Sequence, residues 1–512
     1  MWGRHFACSR LSGGSFVHAR HPANRARQFA ANPGWCRPGV GRFPCRDLWH
    51  DDLTMREELR KELGLSDLVL AQVLCVVGSS WVGIAAKLGR AHVVFWVVSM
   101  LLFYLPLAAV VIYLNRLIPL EGGLYQWAKQ GFGEMAGFLI AWNLWVYAVV
   151  VMGAIIFVVP TDLAFMLGGS WTWLPHSRWA TLALTGGVMA AITVVAVLGL
   201  NIGKWLHNAG SVMILTAYVI LLGLPVWAMA HGSATHFEAL PFEWPKASWF
   251  SLAIFGQMTV GALSGFEYVA IMAGECRSAA RTIGQSVLIS APIIAVMFIL
   301  GTSVVLAFIG NQPINVIGPI PQTFRLAFGN TGIAGFAAQF GIAMLLARAV
   351  ASSSLIFTGL SRLPMTAGWD NLAPKWFTRL HPRRRTPVNS ILFVAALAMG
   401  LILLSLMGAR EQEASQLLTA ASIVHYAIVY VALFALPLFG SAALRKQLPG
   451  WLKLTAAAGL ISSLVALCIS AYPVVDVTSR AAFAGKICAV VAISNMGGVL
   501  LYRAGRARNT LE

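Results

Sequence analysis

What most constrains this chain is the recurrence of apolar runs of about 20 residues, the length an α-helix needs to cross a hydrocarbon core roughly 30 Å thick. Such runs fall near 66–86, 93–118, 135–167, 180–200, 206–230, 249–275, 285–310, 333–361, 388–408, 415–440, 453–472 and 483–503. They predict about twelve membrane helices. With 58% hydrophobic and 11% charged residues in 512, the chain has too little polar surface to coat a soluble globule of its size. The strands of a membrane β-barrel would be about half as long and strictly alternating, and these runs are neither. The expected fold class is therefore an all-α polytopic membrane protein.

Orientation follows from the loops, because Lys and Arg resist translocation. The segment Ser361 to Val388, lodged between two apolar runs, carries Arg362, Lys375, Arg379, Arg383, Arg384 and Arg385. With the N-terminus inside, the same side holds Arg116, Lys129, Lys204, Arg277, Arg281, Arg445, Lys446, Lys453, Arg503, Arg506 and Arg508, giving 17 cations. The opposite loops hold 8, namely Lys87, Arg90, Arg178, Lys246, Arg325, Arg410, Arg480 and Lys486. This asymmetry predicts an even number of spans in the plasma (inner) membrane with both termini cytoplasmic. It also accounts for most of the net charge of +18 without invoking nucleic acid.

Residues 1–54 read differently. Eight arginines stand against one acid, Asp47, in the first fifty positions, and no continuous apolar core of a secretory signal is present. Such a segment cannot bury enough apolar area to fold, so a disordered basic extension, or an upstream start-site artefact before Met55, is expected. The seven cysteines show no CxxC spacing, which leaves neither a zinc site nor a disulfide framework indicated.

Two spans carry interruptions. The first has Val77-Gly78-Ser79-Ser80-Trp81-Val82-Gly83 at its middle, and the sixth has Gly261-Ala262-Leu263-Ser264-Gly265-Phe266-Glu267. Glycine costs about 1 kcal/mol in a helix interior, and hydroxyls can satisfy freed backbone groups, so either cluster can unwind. Close helix packing through small residues is the alternative. Their matching positions in successive blocks of five spans favour unwinding, the arrangement that places a transporter's site at the bilayer midplane.

Glu267 and Arg348 are charges within apolar spans, costly there unless they face the bundle interior. Glu267 is read as a proton carrier, an amine counter-ion, a strut for the broken helix, or a protonated structural group. Arg348 needs a carboxylate, carbonyls or a water path. The hydroxyls of Ser352 and Ser353 can ligate Na⁺ or bond their own backbone. Trp142 in the third span and Tyr426 in the tenth are candidate substrate contacts, though most membrane aromatics serve packing or interfacial belts. His425 beside Tyr426 is expected to bond between helices.

Three segments together resemble the amino acid, polyamine and organocation (APC) transporter superfamily. Pro119-Leu120-Glu121-Gly122-Gly123-Leu124-Tyr125 is similar to its P-x-x-G-G-x-Y loop. Gly265-Phe266-Glu267 with Glu275 and Arg281-Thr282-Ile283-Gly284 is similar to its G-F-E segment and the stretch after it. Ser361 to Val388 resembles S-R-x-x-x-x-x-A-x-D-G-x-x-P. The chain departs from the pattern at Ser80 and Gly284, where glycine and proline are usual, and at Asn371 after Asp370.

The resemblance implies inverted five-helix repeats, here 55–230 and 231–440, followed by two helices and a tail in 441–512. It implies alternating-access transport of amino acids or amines, with polyamines and organocations as the alternative substrates. Gly78, Ser79 and Ser80 match the first-helix carboxylate segment, with Trp81 after them as a further candidate substrate contact, and Ser264, Gly265, Phe266 and Glu267 match the sixth-helix segment. Some members carry a cation-replacing lysine in the fifth helix; Tyr218 stands nearest that position. No cofactor and no resident metal are expected, and the coupling ion, H⁺ or Na⁺, stays open. A membrane enzyme would need a sizeable extramembrane loop with clustered catalytic groups, which the sequence lacks; a non-transporting sensor is the other alternative.

Overall fold

The computed structural model describes residues 64–118, 123–230, 243–266, 279–329, 331–366, 372, 375–382, 384, 386–407 and 409–509. The basic tail, Pro119 to Gly122, Glu267 with the rest of 267–278, and parts of the loop 361–388 lie outside these residues. Among the described residues all regular structure is helical.

The first apolar run forms two helices, α1 (Leu65–Val76) and α2 (Ser79–Ala86), bent by 45° at the Val77-Gly78 step. Long apolar helices follow as α3 (Gly89–Leu117), then the amphipathic α4 (Leu124–Phe132), α5 (Glu134–Leu167), α6 (Arg178–Leu198) and α7 (Leu200–Ala230). The shorter α8 (Trp249–Ala262) precedes α9 (Ala279–Ile309), α10 (Pro319–Phe328) and α11 (Gly332–Thr366). Helices α12 (Val388–Leu406), α13 (Glu411–Phe439), α14 (Gly450–Ile469) and α15 (Arg480–Asn509) complete the bundle.

Ten of these are long and apolar enough to cross a membrane, and the bent α1–α2 pair makes an eleventh. The chain is thus a multi-pass membrane protein, and the described helices overlap the predicted runs. In the sixth run the helix stops at Ala262, helix is assigned again at Phe266, and 267–275 lie outside the described residues.

Packing places α5 and α13 side by side, with α7 lying along α11 and α1 along both α7 and α9. Polar side chains fasten α1. The Gln72 amide donates to Ser286 Oγ at 2.9 Å and accepts from Ser290 Oγ, both on α9. On α7, Asn208 donates to Asp67 at 3.0 Å and Ser211 Oγ to the Leu70 carbonyl at 2.9 Å. The short α2 is held differently. Its Gly83 abuts Pro319 and Val316, leaving a methyl group there only 2.8 Å from Pro319 Cγ. Helix α10 is itself pinned to the end of α5, where Arg325 donates to the Phe165 and Met166 carbonyls.

Candidate functional site

The break between α1 and α2 is extended chain, with Gly78 at φ −118° and ψ 138°. No side chain caps α2. The first N–H groups of a helix lack partners within it, and they carry the positive end of the helix dipole, about half an elementary charge. Ser79, Ser80 and Trp81 open α2 and supply those N–H groups.

The guanidinium of Arg348 reaches the same place. A methyl group on Gly78 would lie 3.7 Å from Arg348 Nη2. Arg348 is 7% exposed and its Nε has no hydrogen-bond partner. One turn further along α11, Ser352 and Ser353 are fully buried, and their hydroxyls are likewise unpartnered. Tyr218 and Cys75 are electrostatic neighbours of Arg348. The Tyr218 hydroxyl is buried without a partner, so α7 presents a phenol to this arginine.

The sixth span breaks with opposite polarity. Residues Gln257–Ala262 widen into a π-helical turn, and Leu263 N–H still bonds the Met258 and Thr259 carbonyls at 3.2 Å. Gly265 then adopts φ 124°, a region that side-chain-bearing residues rarely enter. The chain therefore presents the carbonyl end of a helix, with its partial negative charge, where the first break presents N–H groups. Ser264 Oγ donates to the Gly261 carbonyl at 3.3 Å, and the Gly265 N–H donates to Tyr430 Oη at 3.2 Å.

The two breaks touch. A methyl group on Gly261 would stand 2.6 Å from Trp81 Cη2, so the indole that starts above Gly78 ends against the π-turn. Gly265 faces Val76 and Cys75 at the end of α1. Phe266 is fully buried, stacked on Tyr104 of α3 with centroids 4.8 Å apart. Tyr426 is buried between Tyr147 of α5, at 3.6 Å, and Tyr430, at 4.5 Å, and its hydroxyl has no partner. This aromatic column connects α5 and α13 to the broken segment through the Tyr430 hydroxyl.

Trp142 is engaged with the last span. Its Nε1 donates to the Ser494 carbonyl at 2.8 Å, and its ring covers Gly498, both on α15. Spacing in α5 puts Trp142 and Tyr147 on different sides of the helix, and the structure turns the tryptophan toward the last span. His425 joins the same interface, bonding the Ala421 carbonyl and Ser494 Oγ at 2.8 and 2.7 Å. Glu267, expected beside Gly265, falls outside the described residues.

Sequence reasoning passed over Asp162 on α5. It is 1% exposed, and its Oδ1 has no partner. An acid inside the 135–167 run was the available signal, the same one that singled out Glu267. Gln257, at the start of the π-turn, was also missed, and its amide oxygen and nitrogen are both buried without partners. No cluster of His, Cys, Asp and Glu able to hold a metal occurs among the described residues.

Paired interrupted helices meeting inside a multi-pass bundle define a membrane transporter of the broken-helix type. The chain belongs to the amino acid permease family, whose profile matches residues 66–493, and thereby to the APC superfamily. An uncharacterized transporter of Legionella pneumophila is 24% identical over 73% of this chain and 80% of its own length. A probable agmatine/putrescine antiporter of Lactococcus lactis is 23% identical over 68% of this chain and 72% of its own. A probable threonine/serine transporter of Bacillus subtilis is 22% identical over 68% and 74%.

Proposed function

We propose that this protein is a secondary transporter that carries amino acids or related amines across the plasma membrane by alternating access. The observation that carries this reading is the meeting of two half-helix ends of opposite polarity. Free N–H groups at Ser79 and Ser80, reinforced by Arg348, suit a carboxylate. Carbonyls at the end of the π-turn, near Gly261 and Ser264, suit an ammonium group. An α-amino acid supplies both groups on one carbon. Trp81 and Phe266 are the bulky side chains that would cover it, with Tyr426 behind. Amines lacking a carboxylate, the cargo in the name of the Lactococcus relative, would use the carbonyl end alone.

The pairing of the third span with the tenth, and of the eighth with the fifth, supports inverted repeats in 55–230 and 231–440. Exchanging the two halves converts one pair into the other. The excess of Lys and Arg on one set of loops supports cytoplasmic termini. Coupling is read as residing near Arg348, Ser352 and Ser353, with Glu267 as a further candidate. The buried hydroxyls are ligands of the kind Na⁺ takes, and a fixed arginine charge can stand in for a bound cation.

The test is uptake of a panel of labelled amino acids and amines into proteoliposomes, with pH, sodium and internal substrate varied separately. Flux of an amino acid or amine that depends on an ion gradient or on internal substrate is expected. Binding without flux for the whole panel would point instead to a sensor and sink the proposal.

A further inference from the structure

Two buried ionisable side chains, one basic and one acidic, lie in this bundle without bonding each other. Nε of Arg348 and Oδ1 of Asp162 both lack hydrogen-bond partners. Leaving such groups unsatisfied in a low-dielectric interior is costly, and a ligand that supplies the missing partners recovers that cost.

The two side chains reach opposite ends of helix α2. Arg348 addresses its start at Gly78. Asp162 addresses its far end, because Oδ1 would lie 2.9 Å from a methyl group on Gly318, and Gly318 sits between Val316 and Pro319, the residues that abut Gly83. From Gly78 to Gly83 the axial rise is about 7.5 Å at the helical rise per residue. A methyl or hydroxymethyl side chain does not run the length of α2. An extended side chain tipped by an amine or guanidine does.

We propose that Arg348 and Asp162 are the two ends of one ligand site, and that the preferred substrate is an amino acid whose side chain ends in a cation. The inference rests on the transport reading above, since its carboxylate is the one held at Arg348 and the start of α2. Asp162 receives the side-chain cation. The carboxylate end is then common to all amino acids, and Asp162 is the specificity-determining residue.

Wild-type protein in proteoliposomes tests this without any variant, through matched substrates that differ only in the terminal charge: lysine against norleucine, and arginine against citrulline. The charged member of each pair is expected to compete for uptake roughly ten- to a hundredfold better than its neutral partner, the range of a charge-assisted bond. Equal competition by both members overturns the proposal while leaving amino acid transport intact. No competition by either pair, with no flux of any labelled amino acid, fails the transport reading instead.

Asp162→Asn is expected to collapse the lysine-to-norleucine ratio toward one, and Asp162→Glu to retain part of it. A variant that loses uptake of all four substrates by the same factor, with the ratio preserved, makes Asp162 structural or proton-carrying and also overturns the assignment. Should Asp162→Asn fail to fold, the wild-type ratios decide alone.

Discussion

The first and sixth spans are both interrupted, yet they are interrupted by different means. At Gly78 the backbone stays in extended chain that any residue can adopt, and what is special is the company: an uncapped helix start and a buried arginine. At Gly265 the backbone itself is special, at φ 124° after a π-turn, and its amide is held by a tyrosine hydroxyl from another helix. One break is thus defined by its electrostatics and the other by its conformation. Substitutions should separate the two.

The largest effect is expected for Arg348→Gln. Removing a buried charge from a site built around it costs about 2–5 kcal/mol of substrate binding, so amino acid uptake should fall by roughly thirtyfold or more. Amines without a carboxylate should lose much less, and the comparison of labelled amino acid with its decarboxylated amine reads this directly. Equal losses for both would remove Arg348 from the carboxylate end.

Gly265→Ala comes next. A side chain forced into that φ region costs about 1–3 kcal/mol, and its methyl would stand 3.1 Å from Val76 Cγ2. Gly78→Ala meets no backbone penalty, only the Trp81 ring at 3.0 Å. Melting temperature in detergent should therefore drop further for Gly265→Ala than for Gly78→Ala, whereas Gly78→Leu should abolish uptake with expression retained. The reverse order of stabilities would mean that the two breaks do not differ in the way described.

Smaller still is Tyr430→Phe, which removes the acceptor for the Gly265 N–H but keeps the ring; about 1 kcal/mol is expected, seen as a several-fold rise in KM. The smallest functional change belongs to Trp142→Phe, which deletes the bond to Ser494. It should lower thermal stability by about 1 kcal/mol and leave the ranking of substrates unaltered. A changed ranking would return Trp142 to the substrate path.

The spans and both breaks were legible because each rests on a local property. Run length fixes the first, and the Gly-Ser-Ser and Gly-Ala-Leu-Ser-Gly clusters fix the second. What was not legible depends on neighbours distant in the chain. Trp142 lies on the correct helix, but only the packing of α15 against α5 decides that it serves Ser494 and Gly498. The π-turn has no periodicity signal of its own, because widening by one residue is absorbed within a run that is apolar all round. Asp162 was visible as a charge in an apolar run; its importance emerges only once the loop at Gly318 folds over it.

The contrast in how the two halves of the first span are attached has a mechanical consequence. Bonds such as Gln72 to Ser286 and Asn208 to Asp67 join groups for which water is a ready substitute, so the polar part of α1's attachment can be exchanged for solvent, although its Leu68, Val73, Leu74 and Val76 cannot. The oily seat of Gly83 against Pro319 has no such substitute. A hinge at Val77-Gly78 with one leaf fastened partly by exchangeable polar bonds and one seated on apolar contact alone would open toward the side of α1 first.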